Sequence, residues 1–389
     1  MSKLYIDIGS TYFKVSQKGN IEQYFRNFDK NILDDLNSKC STIVNQYSKE
    51  DIHICSSANG GLSTLIVGLT NSFSLKYAIN IAFNSGINII DTVLYSKLEN
   101  EPVPLEVIDV VIVVGGIDSV EKVFDEKLLN YLEKVNYQNI AYVGSAKNRD
   151  FLTQNLEDIV VLENIISDKL QIQEEALKHY LTDLYQSDIV GKEDIKQLYE
   201  ITSNQIYSTP YIVNRSLPKI NERLDVANPF IVVDIGGATT DIHYSRDLVN
   251  DNILTENGYD RLVFKKLGVY KSRESLVHTA KNNEFVFELL EYLNVTENIL
   301  EEESTKATKT LMQLAIFLVL YKVSKHHGQY VELNLDILNS IVLTGGITKV
   351  LTQEEVEDIV LFFYKKILQF HHAPTTLLDS NYEIWTYGI

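Results

Sequence analysis

Two short stretches of this chain repeat one pattern, and this repetition constrains the fold more than any other feature. Residues 5–16 read YIDIGSTYFKVS and residues 232–245 read VVDIGGATTDIHYS. Each stretch is an apolar run followed by an aspartate, glycine and hydroxyl residues, which is typical of a strand that turns at the glycine and returns as a second strand. Because the hairpin occurs once in each half of the chain, we predict two halves built on one plan.

The sequence around each hairpin predicts a mixed sheet flanked by helices. Residues 3–8, 11–17 and 20–25 are predicted to form an antiparallel meander, and residues 231–237 and 241–246 a second hairpin of the same kind. The continuous apolar run at 107–118 predicts a strand buried on both faces. Helical segments alternate with such strands, so the predicted fold class is α/β with parallel pairing.

The chain is long enough for two domains of ordinary size, with 389 residues. We predict an N-terminal domain at 1–228, with a helical insert near 150–210, and a C-terminal domain at 229–389. Residues 209–230 contain three of the six prolines and are predicted to connect the two halves.

Composition excludes some partners and compartments. The formal charge of -18 repels a phosphate backbone, so duplex nucleic acid is not expected as a partner. No secretory signal is visible, and the longest apolar run, at 311–323, is too short to cross a membrane, so we expect a cytoplasmic protein without a membrane partner. The two cysteines, Cys40 and Cys55, are expected to be reduced and structural.

The repeated hairpin has the chemistry of a phosphate site. Glycines at the turn leave room for phosphate oxygens and expose amide donors, and the neighbouring hydroxyl groups add further donors. A carboxylate beside a triphosphate is repelled unless a divalent cation lies between them, so Asp7 and Asp234 are predicted to hold hydrated Mg²⁺. The predicted phosphate contacts are Gly9, Ser10, Thr11, Gly236, Gly237, Thr239 and Thr240.

Three further glycine-rich blocks have more than one interpretation. Gly345 and Gly346, in LTGGITKV, either contact the base or ribose of a nucleotide or pack a helix closely against a strand. The blocks at 56–61 and 115–118 are predicted to form tight turns between a strand and a helix, and no chemistry is assigned to them.

These motifs resemble those of a known superfamily. Residues 7–11 are similar to the first phosphate motif, and residues 234–241 to the second, of the superfamily of actin, sugar kinases and heat-shock chaperones. Gly345 and Gly346 look like its adenosine motif. The set DIGSTYFKV, CSSANGGL, VVIVVGGID, VVDIGGATTDIH and LTGGI most resembles the glutamate-mutase-associated MutL or GlmL family, which is unrelated to the mismatch-repair protein of similar name.

The resemblance implies a fold and roles for individual residues. It implies two RNase H-like domains of a duplicated βββαβαβα plan with a nucleotide cleft between them, and it adds Tyr12, Lys14 and Ala238 to the nucleotide contacts. It implies that Asp234 orients the attacking water through the metal, whereas Asp241 either supports the ion or stabilises the turn. A glutamate or glutamine general base is expected in the region 140–170, where the candidates are Gln154, Glu157 and Glu163.

The resemblance also implies a function. We expect an ATPase that binds Mg-ATP and acts as a chaperone-like reactivating factor for an adenosylcobalamin-dependent mutase. The alternatives are an actin-like protein that self-associates into filaments, as in plasmid segregation, and a small-molecule kinase.

Overall fold

The computed structural model describes most of the chain, and every structural statement below concerns its described residues: 3–9, 11–17, 19–57, 62–85, 87–99, 102–104, 107–119, 123–191, 193–249, 258–264, 267–324 and 332–389. The chain divides into two compact units. The first unit contains Met1–Ala58 and Leu198–Ile389, and the second contains Asn59–Gln197.

Strands and helices alternate along the chain. In chain order the strands are β1 (Leu4–Ile8), β2 (Tyr12–Gln17), β3 (Asn20–Phe25), β4 (Ile52–Ser56), β5 (Ser63–Gly68), β6 (Asn88–Leu94), β7 (Ile108–Val114), β8 (Tyr137–Tyr142), β9 (Val160–Val161), β10 (Tyr207–Ser208), β11 (Phe230–Ile235), β12 (Thr240–Ser245), β13 (Tyr259–Phe264), β14 (Ser340–Gly345) and β15 (Thr375–Leu378). The helices are α1 (Ile32–Val44), α2 (Lys76–Asn84), α3 (Glu126–Leu132), α4 (Arg149–Asn155), α5 (Glu175–Gly191), α6 (Glu193–Leu198), α7 (Thr209–Leu224), α8 (Arg273–Lys281), α9 (Val286–Tyr292), α10 (Thr305–Val323) and α11 (Gln353–Phe363).

The first unit contains two sheets with the same strand order. One sheet has the order β10-β4-β1-β2-β3 and the other β13-β12-β11-β14-β15. In one sheet, β2 pairs antiparallel with both β1 and β3, while β4 and β10 add in parallel on the other side of β1. In the other sheet, β12 pairs antiparallel with both β11 and β13, while β14 and β15 add in parallel on the other side of β11. This repeated order confirms the predicted α/β fold of a duplicated actin-like plan.

The second unit has a five-stranded sheet of its own, with the order β6-β5-β7-β8-β9 and parallel pairing throughout. Strands β5 and β7 are almost completely buried, which explains their unbroken apolar sequences. This unit leaves the first sheet after β4 and returns before β10, so it is inserted between two neighbouring strands. The helices α4, α5 and α6 overlap the predicted helical insert near 150–210 and lie within or at the end of this longer insertion.

The block at 115–118 packs strand ends together in the second unit. A Cβ atom on Gly144, at the end of β8, would lie 2.3 Å from the carbonyl oxygen of Gly115. The carboxylate of Asp118 accepts hydrogen bonds from the amide of Ala146, at 2.8 Å, and from the side chain of Asn164, at 3.2 Å. These contacts agree with the predicted close turn and hold three loops together.

The predicted connection at 209–230 is mostly helical, and its role in joining the two halves stays a prediction. Helix α7 spans Thr209–Leu224 and begins with Ser208 as its N-cap. Pro210 lies in the first turn, where a missing amide hydrogen costs nothing, although Pro218 interrupts the interior of the helix. An apolar face outweighs this interruption, because Ile212, Leu217 and Ile220 are fully buried.

Strand β11 separates two hydrophobic cores in the first unit. Ile231 and Val233 face a core formed with helices α8 to α11, while Phe230 and Val232 face a core formed with α7 and the carboxy-terminal residues. This alternation follows from the period of two along a strand. The predicted domain boundary at 228/229 falls between the two sheets of this unit and stays a prediction.

Among the described residues, no helix combines the length and the apolar composition needed to cross a bilayer.

Candidate functional site

The two predicted phosphate turns share one backbone hydrogen bond in equivalent positions. The amide of Gly9 donates to the carbonyl of Tyr12 at 2.9 Å, and the amide of Gly236 donates to the carbonyl of Thr239 at the same distance. In both hairpins an aspartate lies two residues before the turn glycine. The duplicated sequence pattern therefore corresponds to a duplicated turn, although Ser10 lies outside the described residues.

The second turn is held by its carbonyl oxygens. The carbonyl of Gly236 accepts from the amide of Val269 at 3.1 Å, and that of Gly237 accepts from the amides of Tyr270 and Lys271 at 2.9 and 2.7 Å. Among the described residues, the amides of Gly237 and Ala238 have no acceptor. A turn fixed on its carbonyl side with unused amide groups suits an anionic ligand.

Asp7 is completely buried, and both of its oxygens accept hydrogen bonds. Oδ2 accepts from Lys14 Nζ at 3.0 Å and from the Tyr382 hydroxyl at 2.8 Å. Oδ1 accepts from the Thr209 hydroxyl at 2.6 Å and lies 3.5 Å from the thiol of Cys55. Four donors from four parts of the chain thus surround the carboxylate, which satisfies the requirement that a buried charge be paired.

Tyr382, like Thr209 and Cys55, is a member of this cluster that sequence patterns do not predict. It lies near the end of the chain, and Lys14 Nζ sits 3.8 Å above the centre of its ring. Burial raises the pKa of the Tyr382 hydroxyl well above its ordinary value, and the charges of Asp7 and Asp234 raise it further. The phenol therefore remains protonated and acts as a donor to Asp7.

Asp234 differs from Asp7 because it is only partly buried and its charge is poorly compensated. Burial is the main cause that raises its pKa from 3.8 to about 7. The nearby carboxylates of Asp241 and Asp7 raise the pKa as well, whereas Lys14 and Arg261 lower it. Asp7, Lys14 and Asp234 therefore belong to one electrostatic cluster within the first unit.

The two aspartates have different partners directly across their hairpins. Asp7 faces Lys14, while Asp234 faces Asp241. The Asp241 carboxylate is held by Arg261, whose Nη2 and Nε lie 2.8 and 3.2 Å from Oδ1. The sequence left two roles open for Asp241, support of the ion and stabilisation of the turn. The buried ion pair with Arg261 favours stabilisation of the turn.

The hydroxyl residues that follow the turns are used in different ways. The Thr239 hydroxyl donates to Asp241 at 3.3 Å, and the buried Thr240 hydroxyl donates to the carbonyl of Leu267 at 2.7 Å. Thr11 is buried, whereas the ring of Tyr12 is exposed. Thr240 therefore fixes the second turn from within, and its role as a phosphate contact stays a prediction.

The third predicted motif meets the second hairpin. Gly345 has φ +90°, and a Cβ atom there would lie 2.4 Å from the carbonyl oxygen of Ile235 and 2.5 Å from Oδ1 of Asp234. Only glycine fits this position without strain. At Gly346 the nearest atom to such a Cβ would be 3.8 Å away. Close packing therefore explains Gly345 but leaves Gly346 free for another role.

The block at 56–61 begins beside the first turn. The Ser56 hydroxyl and the Ser57 amide both donate to the carbonyl of Ile8, at 3.2 and 2.9 Å. These bonds fasten the end of β4 to the end of β1. The remaining residues of the block, 58–61, lie outside the described residues.

The predicted general-base candidates lie in the second unit, whereas all the site residues above belong to the first. Gln154, Glu157 and Glu163 are exposed, and Glu163 accepts a hydrogen bond from Gln173 at 2.8 Å. A role for any of them in hydrolysis stays a prediction.

The donor set fits magnesium only in part. Within the described residues, no group of three or more acidic, histidine or cysteine side chains is placed to hold a metal ion. Mg²⁺ bound with a nucleotide commonly takes only one or two carboxylates and completes its shell with phosphate and water. Partly exposed Asp234 fits that role, while Asp7 is enclosed by its four donors.

Comparison with known proteins identifies the family. A family model described as MutL protein matches residues 3–389, almost the whole chain. The chain belongs to this family. Protein MutL of Clostridium tetanomorphum is 23% identical over 269 residues, which cover 63% of this chain and 58% of that protein. The match therefore spans little more than half of the relative's length.

Solved structures give weaker matches. The ethanolamine utilization protein EutJ from Carboxydothermus hydrogenoformans is 11% identical, with a TM-score of 0.31 over 100% of this chain and 89% of that one. The apo psk41 ParM protein is 10% identical, with a TM-score of 0.32 over 100% and 95%. The fold is identified by the strand order of the two sheets and by the family, and not by these structural similarities.

The substitution Gly345→Ala is expected to destabilise the protein, while Gly346→Ala is not. The added methyl group at 345 meets backbone and carboxylate atoms and requires an unfavourable φ, which costs roughly 1–3 kcal/mol. Chemical denaturation of the two variants measures the difference. Equal free energies of unfolding for both would contradict the close packing described for β14.

The substitution Asp234→Asn is expected to change how stability depends on pH. A carboxyl whose pKa rises from 3.8 to about 7 on folding binds its proton more tightly in the folded state. Its contribution therefore favours folding at low pH and is lost as pH rises from about 4 to about 7. The melting temperature of Asp234→Asn should therefore rise relative to that of the wild type as the pH increases across this interval.

Calorimetry at a series of pH values checks this expectation. Asp358→Asn, which removes the same charge from an exposed position on α11, is the matched control for the loss of one carboxylate. If the difference between Asp234→Asn and the wild type stays constant across this interval, the pKa of Asp234 is not raised by folding.

Proposed function

We propose that this MutL-family chain binds one Mg-ATP between its two hairpin turns and hydrolyses it. The proposal is supported by the equivalent hydrogen bonds of the two turns, from the amide of Gly9 to the carbonyl of Tyr12 and from the amide of Gly236 to the carbonyl of Thr239, each turn being preceded by an aspartate. The electrostatic cluster that joins Asp7, Lys14 and Asp234 supports it, because two turns that grip one phosphate chain must lie close together.

Each motif has a role in this proposal. The unused amides of Gly237 and Ala238 bind phosphate oxygens, and Gly346 lies against the nucleoside. Lys14 contacts phosphate once it leaves Asp7. Magnesium, when bound, neutralises charge on the phosphates. Asp234 would hold the hydration shell of the magnesium ion and orient the water that attacks the γ-phosphate. The turn amides stabilise the negative charge that develops on the phosphate.

Hydrolysis is proposed to drive a conformational change. Each sheet of the first unit provides one turn, so loss of the γ-phosphate removes a contact that both turns share. Membership of the MutL family supports a chaperone-like use of this change, namely ATP-driven reactivation of an adenosylcobalamin-dependent mutase by release of damaged cofactor.

Asp234→Asn is expected to lower the rate of Mg-ATP hydrolysis by roughly 100-fold, since the neutral side chain holds the metal shell and the water poorly. A phosphate-release assay measures the rate, and circular dichroism shows whether the variant is folded. Asp358→Asn is the matched control, because it removes the same charge from an exposed helix position.

Wild-type turnover by the folded Asp234→Asn variant would overturn the proposed mechanism. The same assay is repeated with a cobalamin-dependent mutase inactivated by hydroxocobalamin. We expect ATP consumption to rise and mutase activity to recover. If neither of these changes occurs, the reactivating role is contradicted, but the proposed ATP hydrolysis is not.

A further inference from the structure

The carboxy-terminal segment, residues 379–389, contributes a side chain to the candidate site. Tyr382 donates to Asp7 at 2.8 Å while Lys14 binds the same oxygen and lies over the tyrosine ring. Asp7 has no exposed surface. A cation therefore has no access to this carboxylate until Tyr382 or Lys14 moves.

The segment is anchored beside the second hairpin. The Asp379 carboxylate accepts from the Thr344 hydroxyl at 2.8 Å and from the amides of Glu383 and Ile384 at 3.0 and 3.3 Å. Thr344 immediately precedes Gly345, which packs on Asp234. The position of Tyr382 is thus set from the sheet that carries the second turn, although Tyr382 bonds to the aspartate of the first.

Helix α7 holds the other side of the segment. Lys219 Nζ donates to the carbonyl of Tyr387 at 2.6 Å, and Arg223 stacks on the Tyr387 ring at 4.6 Å. A Cβ atom on Gly388 would lie only 2.0 Å from the carbonyl oxygen of Ile212, so the chain passes directly against the helix. The segment is therefore a packed part of the first unit.

We propose that Tyr382 and Lys14 form a latch that closes Asp7 to metal in the nucleotide-free chain, and that Mg-nucleotide opens it. This inference rests on the proposed function. Phosphate offers Lys14 more negative charge than Asp7 does, so nucleotide draws the lysine away. Asp7 then loses its ion pair with Lys14 and pairs with the magnesium ion instead. The Tyr382 hydroxyl thereby loses Asp7 as its hydrogen-bond acceptor. Metal and nucleotide therefore bind cooperatively, and the carboxy-terminal segment loosens as they do.

The chain carries its own probe of this latch. Trp385 is the single tryptophan of the sequence, and it is almost fully buried in this segment. Its indole Nε1 donates to the carbonyl of Tyr382 at 2.9 Å, and the two ring centres are 6.2 Å apart. Tryptophan fluorescence thus reports on the segment that holds Tyr382.

The test uses Tyr382→Phe in the full chain, with Tyr387→Phe as the matched control in the same segment. Tyr382→Phe removes from the closed state the hydroxyl that donates to Asp7 and accepts from Lys14, so the variant should bind Mg-ADP roughly tenfold more tightly by titration calorimetry. The affinity for ADP in the presence of EDTA should rise less, because phosphate requires only Lys14 to move, whereas the metal also requires access to Asp7. Wild-type or weaker affinity for Mg-ADP would overturn the latch.

A second arm needs no nucleotide. Acrylamide should quench Trp385 more strongly in Tyr382→Phe than in the wild type or in Tyr387→Phe, because the segment has lost its bond to Asp7. Equal quenching in all three proteins would also overturn the latch. If no protein binds Mg-ADP but this quenching difference appears, the proposed function fails while the closed contact on Asp7 stands.

Discussion

The buried carboxylate of Asp7 is the constraint on which the arrangement of the first unit depends. An unpaired charge without solvent is too costly for a folded protein, so donors must surround it. Here they come from β2, from the end of β4, from the start of α7 and from the carboxy-terminal segment. Cys55 lies just before the chain leaves for the second unit and Thr209 just after it returns, so one carboxylate gathers segments that are remote in sequence.

The duplicated hairpins are alike in backbone but unlike in charge. The cross-strand partner is a lysine in the first hairpin and a second carboxylate in the other. Asp7 therefore forms an ion pair with Lys14, whereas burial raises the pKa of Asp234 to about 7 even though Arg261 binds the neighbouring Asp241. The duplicated hairpins have thus produced one fully buried and one partly buried acidic group. In the proposed function, this difference gives the two halves separate tasks in binding one ligand.

Local patterns in the sequence predicted the hairpins, the parallel strands and the family, because each depends on a few adjacent residues. The turn at Gly9 and the apolar run of β7 are examples. The contacts of Tyr382 and Thr209 with Asp7 could not be predicted, because they join residues far apart in sequence and no local periodicity encodes them. Helix α7 was missed because its prolines are typical of a loop, while its buried face has meaning only against the sheet and the carboxy-terminal segment.

In the proposed function, both turns contact the same nucleotide. Hydrogen–deuterium exchange measured with and without Mg-ADP tests it directly, because amide groups that bind phosphate exchange more slowly. We expect slower exchange at residues 9–12 and at 236–239 together, over one range of Mg-ADP concentration. Protection of one turn alone, or of neither, would contradict the account.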